Sequence, residues 1–150
     1  MMQSELTGLR VLLVEDELAI AMMLEMALEE QHCTIVGPYG SLGEALAAAR
    51  TEPVDLAVLD VNLRGEMVFP AADALAERHV PFLLMSGYGD ARLASQAKHW
   101  PVCRKPFDMD DLLSRLAGLV RKDGSVDGRR PPGAQPGHRR GGEGGRLAPE

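Results

Sequence analysis

The sequence contains little cysteine and few aromatic residues. Two of its 150 residues are cysteine, and 4% are aromatic. Cys33 and Cys103 do not form a C-x-x-C pair, and both lie in segments whose apolar pattern indicates ordered structure. We therefore expect two free, partly buried thiols in a protein of a reducing compartment.

Long apolar runs are also missing. The polar residues Gln3, Ser4, Glu5 and Thr7 interrupt the N-terminal stretch, which argues against a signal peptide. No segment of the sequence reaches the length that a membrane span requires. We expect a cytoplasmic protein without membrane contact.

Positive charge is scarce over most of the chain. Residues 1–120 carry nine Lys or Arg against eighteen Asp or Glu. A body with this acidic balance repels the phosphate backbone of nucleic acids. The glycine motifs of nucleotide-binding loops are missing after the first apolar run. The sequence therefore predicts neither a DNA-binding domain nor a nucleotide site.

What the sequence does contain is an alternation of short apolar runs with amphipathic segments, at a length that suits one domain. The apolar runs predict five strands, at 10–14, 34–36, 56–59, 81–85 and 102–104. The amphipathic segments predict five helices, at 18–31, 41–50, 70–78, 91–98 and 109–120. Parallel strands need crossover helices, so the alternation predicts an α/β fold with a doubly wound, five-stranded parallel sheet and helices on both faces.

The first predicted helix has a regular apolar stripe. Its members recur at helical spacing and are predicted to face the sheet: Ile20, Met23, Leu24, Ala27 and Leu28. Methionine at such positions more often fills core space than forms part of a cofactor site. We therefore expect the methionines of this helix to lie in the core.

The last part of the chain has a different composition. Residues 122–150 are rich in Gly, Pro and Arg and have no apolar periodicity. Such a segment cannot bury enough apolar surface to offset the entropy of ordering. We expect a folded domain over 8–121 and a disordered tail over 122–150.

Polar residues directly follow four of the predicted strands. Glu15 and Asp16 follow the first strand, Asp60 the third, Ser86 the fourth and Lys105 the fifth. The carboxyl ends of parallel strands share one edge of the sheet, where such folds bind ligands. Clustered carboxylates repel one another unless a cation lies between them. Mg²⁺ suits this set, since it accepts carboxylate and phosphate oxygens and keeps several waters.

These residue types suit phosphoryl transfer. Asp60 is the candidate nucleophile, because a carboxylate can attack phosphorus to form an acyl phosphate. Lys105 supplies a mobile positive charge for the phosphoryl oxygens, and Ser86 can donate a hydrogen bond to the same group. We therefore predict that Asp60 accepts a phosphoryl group.

Four short motifs at these strand ends resemble those of a bacterial two-component response-regulator receiver domain. They are E-D after the first strand, L-D-V-N-L at the third, S-G-Y-G after the fourth and K-P-F after the fifth. The resemblance covers about residues 8–120, so the expected receiver domain spans 8–121. It implies a flavodoxin-like sheet with strand order 2-1-3-4-5 and a role as the single-domain phosphoacceptor of a phosphorelay.

The resemblance also implies a role for each site residue. Asp60 would be phosphorylated, Ser86 would sense the phosphate and Lys105 would pair with it. The implied Mg²⁺ ligands are Glu15, Asp16, Asp60 and the backbone carbonyl of Asn62. The donor would be a sensor histidine kinase or a phosphotransfer protein. The output would be contact with an unknown downstream protein or service as a phosphate sink.

Two features depart from the usual receiver pattern. Receivers usually carry Tyr or Phe three residues before the lysine as a switch, and this chain has Val102 there. The segment between Ser86 and Lys105 is also shorter than usual. Both features, with PF before the fourth strand and GYG after it, are similar to a divergent subgroup nicknamed FAT GUY. Residues 84–87 read L-M-S-G where that nickname expects F-A-T-G.

Two other functions fit parts of the pattern. A Mg²⁺-dependent phosphohydrolase of the haloacid-dehalogenase type also forms an aspartyl phosphate, but it needs a carboxylate two residues after the nucleophile. This chain has Asn62 there. The other alternative is a receiver-fold module that signals through protein contacts without phosphorylation, which Val102 favours. We expect no enzymatic activity beyond the chain's own phosphoryl transfer and dephosphorylation.

Overall fold

The structure, a computed structural model, describes residues 4–87 and 99–123. The described strands are β1 (Arg10–Val14), β2 (Thr34–Tyr39), β3 (Leu56–Asp60), β4 (Asn62–Leu63), β5 (Glu66–Met67), β6 (Phe82–Ser86) and β7 (Val102–Arg104). The described helices are α1 (Leu18–Glu30), α2 (Leu42–Thr51), α3 (Phe69–Glu77) and α4 (Met109–Asp123). The predicted helix at 91–98 and residues 124–150 of the predicted tail lie outside the described residues.

Five of the strands form one parallel sheet in the order β2-β1-β3-β6-β7. The short strands β4 and β5 form a separate antiparallel hairpin. Once this hairpin is set aside, the order is 2-1-3-4-5, and the predicted doubly wound α/β fold is confirmed. Both faces of the sheet are covered by helices, as buried parallel strands require.

The core consists of two apolar layers, one on each face of the sheet. Small alanines of α2 and α3, with Leu75, pack on one face. Leucines and a valine pack on the other face, from α1 at Leu24 and Leu28 and from α4 at Leu112, Leu116 and Val120. A fully buried leucine side chain contributes about 1.5–3 kcal/mol relative to an exposed one. These layers hold the strands in register and so fix the positions of the residues that follow them.

Local signals set the start of α2. Ser41 lies before the first helical residue, and its Oγ accepts a hydrogen bond from the Glu44 amide at 3.2 Å. The Ser41 hydroxyl also donates to Glu44 Oε1 at 3.1 Å. The capping-box sequence S-x-x-E predicts the bond from the Glu44 amide to Ser41 Oγ, which ties the chain that leaves β2 to the helix.

Strand β2 is longer than its sequence indicates. The Gly-Pro pair at 37–38 predicts an end at Val36, but the strand continues to Tyr39. Because β2 is an edge strand, the missing N–H of Pro38 costs no ladder hydrogen bond. The pairing register of β1 with β2 shifts between Leu12 and Val14, so that Val14 pairs with Tyr39.

The predicted inner face of α1 is wrong in one respect. Met23 is 56% exposed, and the buried residues are Ala21, Leu24 and Leu28. One residue turns the helix by about 100°, so spacing alone defines the edges of the buried stripe poorly. The small Ala21 takes the inner position and Met23 lies outside, which leaves methionines of α1 exposed rather than in the core.

The two cysteines agree with their prediction. Cys33 and Cys103 are free and buried, and burial raises the pKa of the Cys33 thiol to about 11. A thiol with so high a pKa is poorly reactive at neutral pH. Among the described helices, none combines the length and the apolar character that crossing a membrane requires.

Candidate functional site

Three carboxylates meet at the carboxyl ends of β1 and β3. Glu15 and Asp16 follow β1, and Asp60 is the last residue of β3. One side-chain oxygen from each lies within 4.8 Å of the others. The pairing of Val14 with Leu59 sets this geometry, because it aligns the ends of the two strands. The predicted convergence of these residues is confirmed.

The cluster is withdrawn from water. Glu15 is 3% exposed and Asp60 is 4% exposed, while Asp16 is half-buried. Glu15 Oε2 accepts a hydrogen bond from the Glu17 amide at 3.0 Å. Glu15 Oε1 receives no hydrogen bond of regular geometry from the described residues, although the Lys105 ammonium lies 3.0 Å from it. Buried carboxylates that crowd together without full hydrogen bonding are costly unless positive charge compensates them.

Lys105 supplies part of that compensation. Its Nζ lies 3.0 Å from Glu15 Oε1, 3.4 Å from Asp60 Oδ1 and 3.9 Å from Glu17 Oε1. Burial alone would lower the pKa of Lys105, but the hydrogen bond to Glu15 and the charges of Asp60 and Glu15 outweigh it and raise the pKa. The ammonium therefore stays charged and lies directly beside the candidate nucleophile.

The pKa of Asp60 is raised well above its ordinary value. Burial, followed by the negative charge of Glu15, raises its pKa from 3.8 to about 8, although Lys105 opposes the shift. The carboxyl is thus protonated over much of the neutral range when no further cation is bound. A carboxylate must be ionised to attack phosphorus, so added positive charge at this site would increase the reactive fraction of Asp60 at neutral pH.

The remaining predicted residues lie at the same edge of the sheet or next to it. Ser86 is fully buried at the end of β6, and its carbonyl accepts a hydrogen bond from the Lys105 amide at 2.8 Å. The Ser86 hydroxyl donates to the carbonyl of Gly87 at 3.2 Å. Asn62 is exposed, and its side chain belongs to the hairpin, where Oδ1 accepts from the Gly65 amide at 2.6 Å. Ser86 is therefore held beside Lys105.

The position of the missing switch aromatic lies at the start of β7. Val102 pairs with Leu84 and is partly buried against the layer that contains α2 and α3. Its carbonyl accepts a hydrogen bond from Arg115 Nη1 at 2.9 Å. A valine at this position has no ring that could move between exposed and buried orientations.

Comparison with known sequences decides the family. The sequence matches the family described as the response regulator receiver domain over residues 11–117. The chain belongs to this receiver family. This result agrees with the strand order and with the acidic cluster, and it confirms the resemblance of the four strand-end motifs.

Relatives of the receiver include longer regulators. Transcriptional regulatory protein TcrA of Mycobacterium tuberculosis is 33% identical over 123 residues, which are 77% of this chain and 47% of that protein. Regulatory protein VanR of Enterococcus faecium is 29% identical over 117 residues, with 75% and 50% covered. The receiver thus spans about half the length of these relatives.

Solved structures show the same fold. The solution structure of SdrG from Sphingomonas melonis Fr1 is 44% identical with a TM-score of 0.67, and the match covers 79% of this chain and 99% of that one. A response regulator receiver protein from Sinorhizobium medicae WSM419 is 19% identical with a TM-score of 0.70, with 77% and 97% covered. Because its identity is 19%, the similarity to the Sinorhizobium medicae protein is evidence for the fold alone.

The residues of the receiver fit a divalent cation. Glu15, Asp16 and Asp60 offer hard oxygen ligands within 4.8 Å of one another, and such carboxylate oxygens are what Mg²⁺ and Ca²⁺ prefer. Receiver domains typically bind Mg²⁺ at an acidic pocket of this kind.

Sequence reasoning missed the hairpin that follows Asp60. Strands β4 and β5 are joined by Arg64 and Gly65, which both have positive φ, 53° and 93°. The Arg64 amide donates to Asp16 Oδ2 at 3.1 Å, and Arg64 Nε lies 3.9 Å from the same oxygen. A two-residue turn ending in Gly was the available signal, but strands of two residues show no alternation.

Sequence reasoning also missed the packing of Trp100, the single tryptophan. Its ring lies 5.2 Å from that of Phe82, edge to face, and 6.4 Å from that of Phe69. Phe69 begins α3, directly after the hairpin and Val68. Trp100 therefore joins the segment before β7 to the start of α3, two residues from the position that lacks the usual aromatic.

Proposed function

We propose that the receiver accepts a phosphoryl group on Asp60 from a sensor histidine kinase or a phosphotransfer protein. The supporting observation is the contact of Asp60 with Lys105, at 3.4 Å, inside a cluster of three carboxylates. Glu15, Asp16 and Asp60 would hold Mg²⁺, together with the backbone carbonyl of Asn62. The cation would offset the negative charge of the carboxylates and of the phosphoryl oxygens.

Each residue then has a defined part in the transfer. An Asp60 carboxylate oxygen forms a bond to phosphorus, while the bond from phosphorus to the donor's histidine nitrogen breaks and leaves its electron pair on that nitrogen. Lys105, 3.4 Å from Asp60 Oδ1, would pair with the new phosphoryl oxygens. Ser86, beside Lys105 at the end of β6, would donate a hydrogen bond to the phosphoryl group and carry the change into the loop that follows.

We propose no enzymatic activity beyond this transfer and the hydrolysis of the acyl phosphate, which passes the phosphoryl group to water. The phosphohydrolase alternative is disfavoured because the Asn62 amide cannot act as a general acid or base, and its side chain is engaged within the hairpin. A phosphorylation-independent module is favoured only by Val102. The buried cluster and its lysine argue against that alternative, because an unused set of this kind would destabilise the fold without benefit.

Wild-type protein treated with acetyl phosphate and Mg²⁺ should gain one phosphoryl group. Intact-protein mass spectrometry measures the gain, and peptide mapping should place it on the segment that contains Asp60. With EDTA in place of Mg²⁺ the gain should disappear, because Asp60 is then largely protonated and the donor's charge is not offset. Absence of any gain with Mg²⁺ would argue for the phosphorylation-independent module.

The exposed methionines of α1 provide a surface for the protein donor. Leu18, Met22 and Met26 recur every fourth residue on the outer face of α1, with exposures of 73%, 52% and 61%. The helix begins directly after the Glu15-Asp16-Glu17 segment, so the first of these exposed residues, Leu18, follows the site residues directly in the chain. Adaptable methionine surfaces suit contact with partner helices. Exposed Glu29 and Glu30 at the far end favour a partner with basic flanks over a second copy of this acidic chain.

Replacing Met22 and Met26 together by Ser should slow transfer from a protein donor by about tenfold or more, since a lost apolar anchor costs on the order of 1 to 2 kcal/mol. The measurement uses purified histidine kinases of the source genome, and the fastest donor for the wild type is then tested on the variant. Labelling by acetyl phosphate, which needs no docking surface, serves as the control and should remain. Equal loss with both donors would show that the variant damages the site itself.

A further inference from the structure

Two cations approach the carboxylate cluster from different elements. Lys105 follows β7 and lies against Glu15 and Asp60. Arg64 belongs to the turn of the hairpin and lies against Asp16. Among the described residues these are the basic side chains in ion-pair contact with the cluster. Without a bound metal, the receiver therefore offsets part of the charge of its carboxylates with its own side chains.

The two contacts differ in how firmly they are held. The Lys105 side chain is 17% exposed and has three carboxylate neighbours. The Arg64 side chain is 79% exposed, and its Nε lies 3.9 Å from Asp16 Oδ2, its one carboxylate contact. An exposed ion pair is weak and is screened by salt. Of the two cations, Arg64 is thus the one that can leave at low cost.

The hairpin holds Arg64 at this position. The Arg64 amide donates to Asp16 Oδ2 at 3.1 Å, and the turn is closed by the bond from the Gly65 amide to Asn62 Oδ1. Arg64 has φ of 53°, which a residue other than Gly adopts only where the turn requires it. The guanidinium is thereby kept next to a carboxylate that would also bind the metal.

We propose that Arg64 is a competing counter-ion, which must give up Asp16 when Mg²⁺ binds and thereby raises the Mg²⁺ concentration that the receiver requires. A divalent cation held by Asp16 would lie close to the positively charged guanidinium of Arg64. The two positive charges would repel each other. The inference rests on the proposed Mg²⁺ site. It assigns to Arg64 a positioning role that acts through Asp16 and not a contact with the phosphoryl group.

Arg64→Asn tests this role with little disturbance of the turn. Asn tolerates positive φ, and Asn-Gly is the preferred pair for a two-residue hairpin turn. The variant removes the guanidinium and keeps the backbone amide that donates to Asp16. Mg²⁺ affinity is measured by calorimetry and by amide shifts in NMR, without any phosphodonor. We expect the variant to bind Mg²⁺ about two- to fivefold more tightly at low ionic strength, with the difference shrinking as salt is added.

Two control variants separate the local effect from net charge. Arg50→Gln removes an exposed arginine from the last turn of α2, and it should leave Mg²⁺ affinity near that of the wild type. Arg64→Lys keeps the charge and should also remain near the wild type. Equal Mg²⁺ affinity of Arg64→Asn and the wild type, or an equal gain in Arg50→Gln, would overturn the role of Arg64 alone. Absence of Mg²⁺ binding in every protein would overturn the proposed function as well.

Discussion

Replacing Asp60 with Asn is expected to abolish phosphoryl uptake and leave the fold intact. The amide is nearly the same size as the carboxylate but is a poor nucleophile towards phosphorus. The backbone of Asp60 pairs in the sheet through the register with Met85, and this pairing does not depend on the side chain. The measurement is intact-protein mass spectrometry after treatment with acetyl phosphate and Mg²⁺, with amide NMR spectra to show that the fold persists.

A matched carboxylate provides the control for this result. Asp73 is exposed on α3 and is not a member of the carboxylate cluster. Asp73→Asn should therefore take up the phosphoryl group as the wild type does. Labelling of Asp60→Asn at the wild-type level would show that another residue is the acceptor and would remove the basis of the proposed function. A loss in both variants would point to a general effect of charge.

The main features of the sheet could be predicted from sequence because its strands are buried on both faces. Such a strand is apolar until the chain leaves the sheet, so the first polar residue marks its end. In β3 the apolar run stops at Asp60, and in β1 it stops at Glu15. The same property places these residues at one edge, which is why the site could be predicted along with the fold.

Two kinds of detail could not be predicted from the sequence. One is which residues lie at the edge of the buried face of a helix, and the other is the structure of very short strands. Spacing assigned both Met23 and Leu24 to the inner face of α1, yet of the two Leu24 is buried and Met23 is 56% exposed. The difference is one position on the helix, about 100° of rotation, which a pattern over 13 residues defines poorly. The exposed methionine surface of α1 was missed for this reason.

The partners of the charged side chains were the other unpredicted part. Sequence placed Lys105 at the site, but its closest contact, Glu15 Oε1 at 3.0 Å, depends on the path of a long side chain. The contact of Arg64 with Asp16 depends on a hairpin whose strands have two residues each. Strands of two residues are too short to show an alternation of apolar and polar residues. Only the Gly after Arg64 hinted at the turn.

The contribution of Asp60 to the stability of the metal-free receiver should fall as the pH rises from about 4 to about 8. The pKa of Asp60 is 3.8 in its ordinary setting and about 8 in the fold, raised first by burial and then by the charge of Glu15. Below a pH of about 3.8, Asp60 is protonated in both the folded and the unfolded state, so it does not make the stability depend on pH. Between the two values only the folded state holds the proton, so the folded state loses stability with rising pH. The loss should be on the order of a few kcal/mol, since each pKa unit corresponds to about 1.4 kcal/mol.

Urea denaturation in EDTA at several pH values measures this change, and Asp60→Asn is its control. The variant has no carboxyl at this position, so the difference between its pH dependence and that of the wild type reports Asp60 together with the neighbours whose charges interact with it. Mg²⁺ should reduce the difference, because a bound cation favours the ionised carboxylate in the folded state. Parallel pH profiles for the two proteins in EDTA would contradict the raised pKa. A difference that Mg²⁺ removes would link the stability of the fold to the same charge balance that prepares Asp60 for attack on phosphorus.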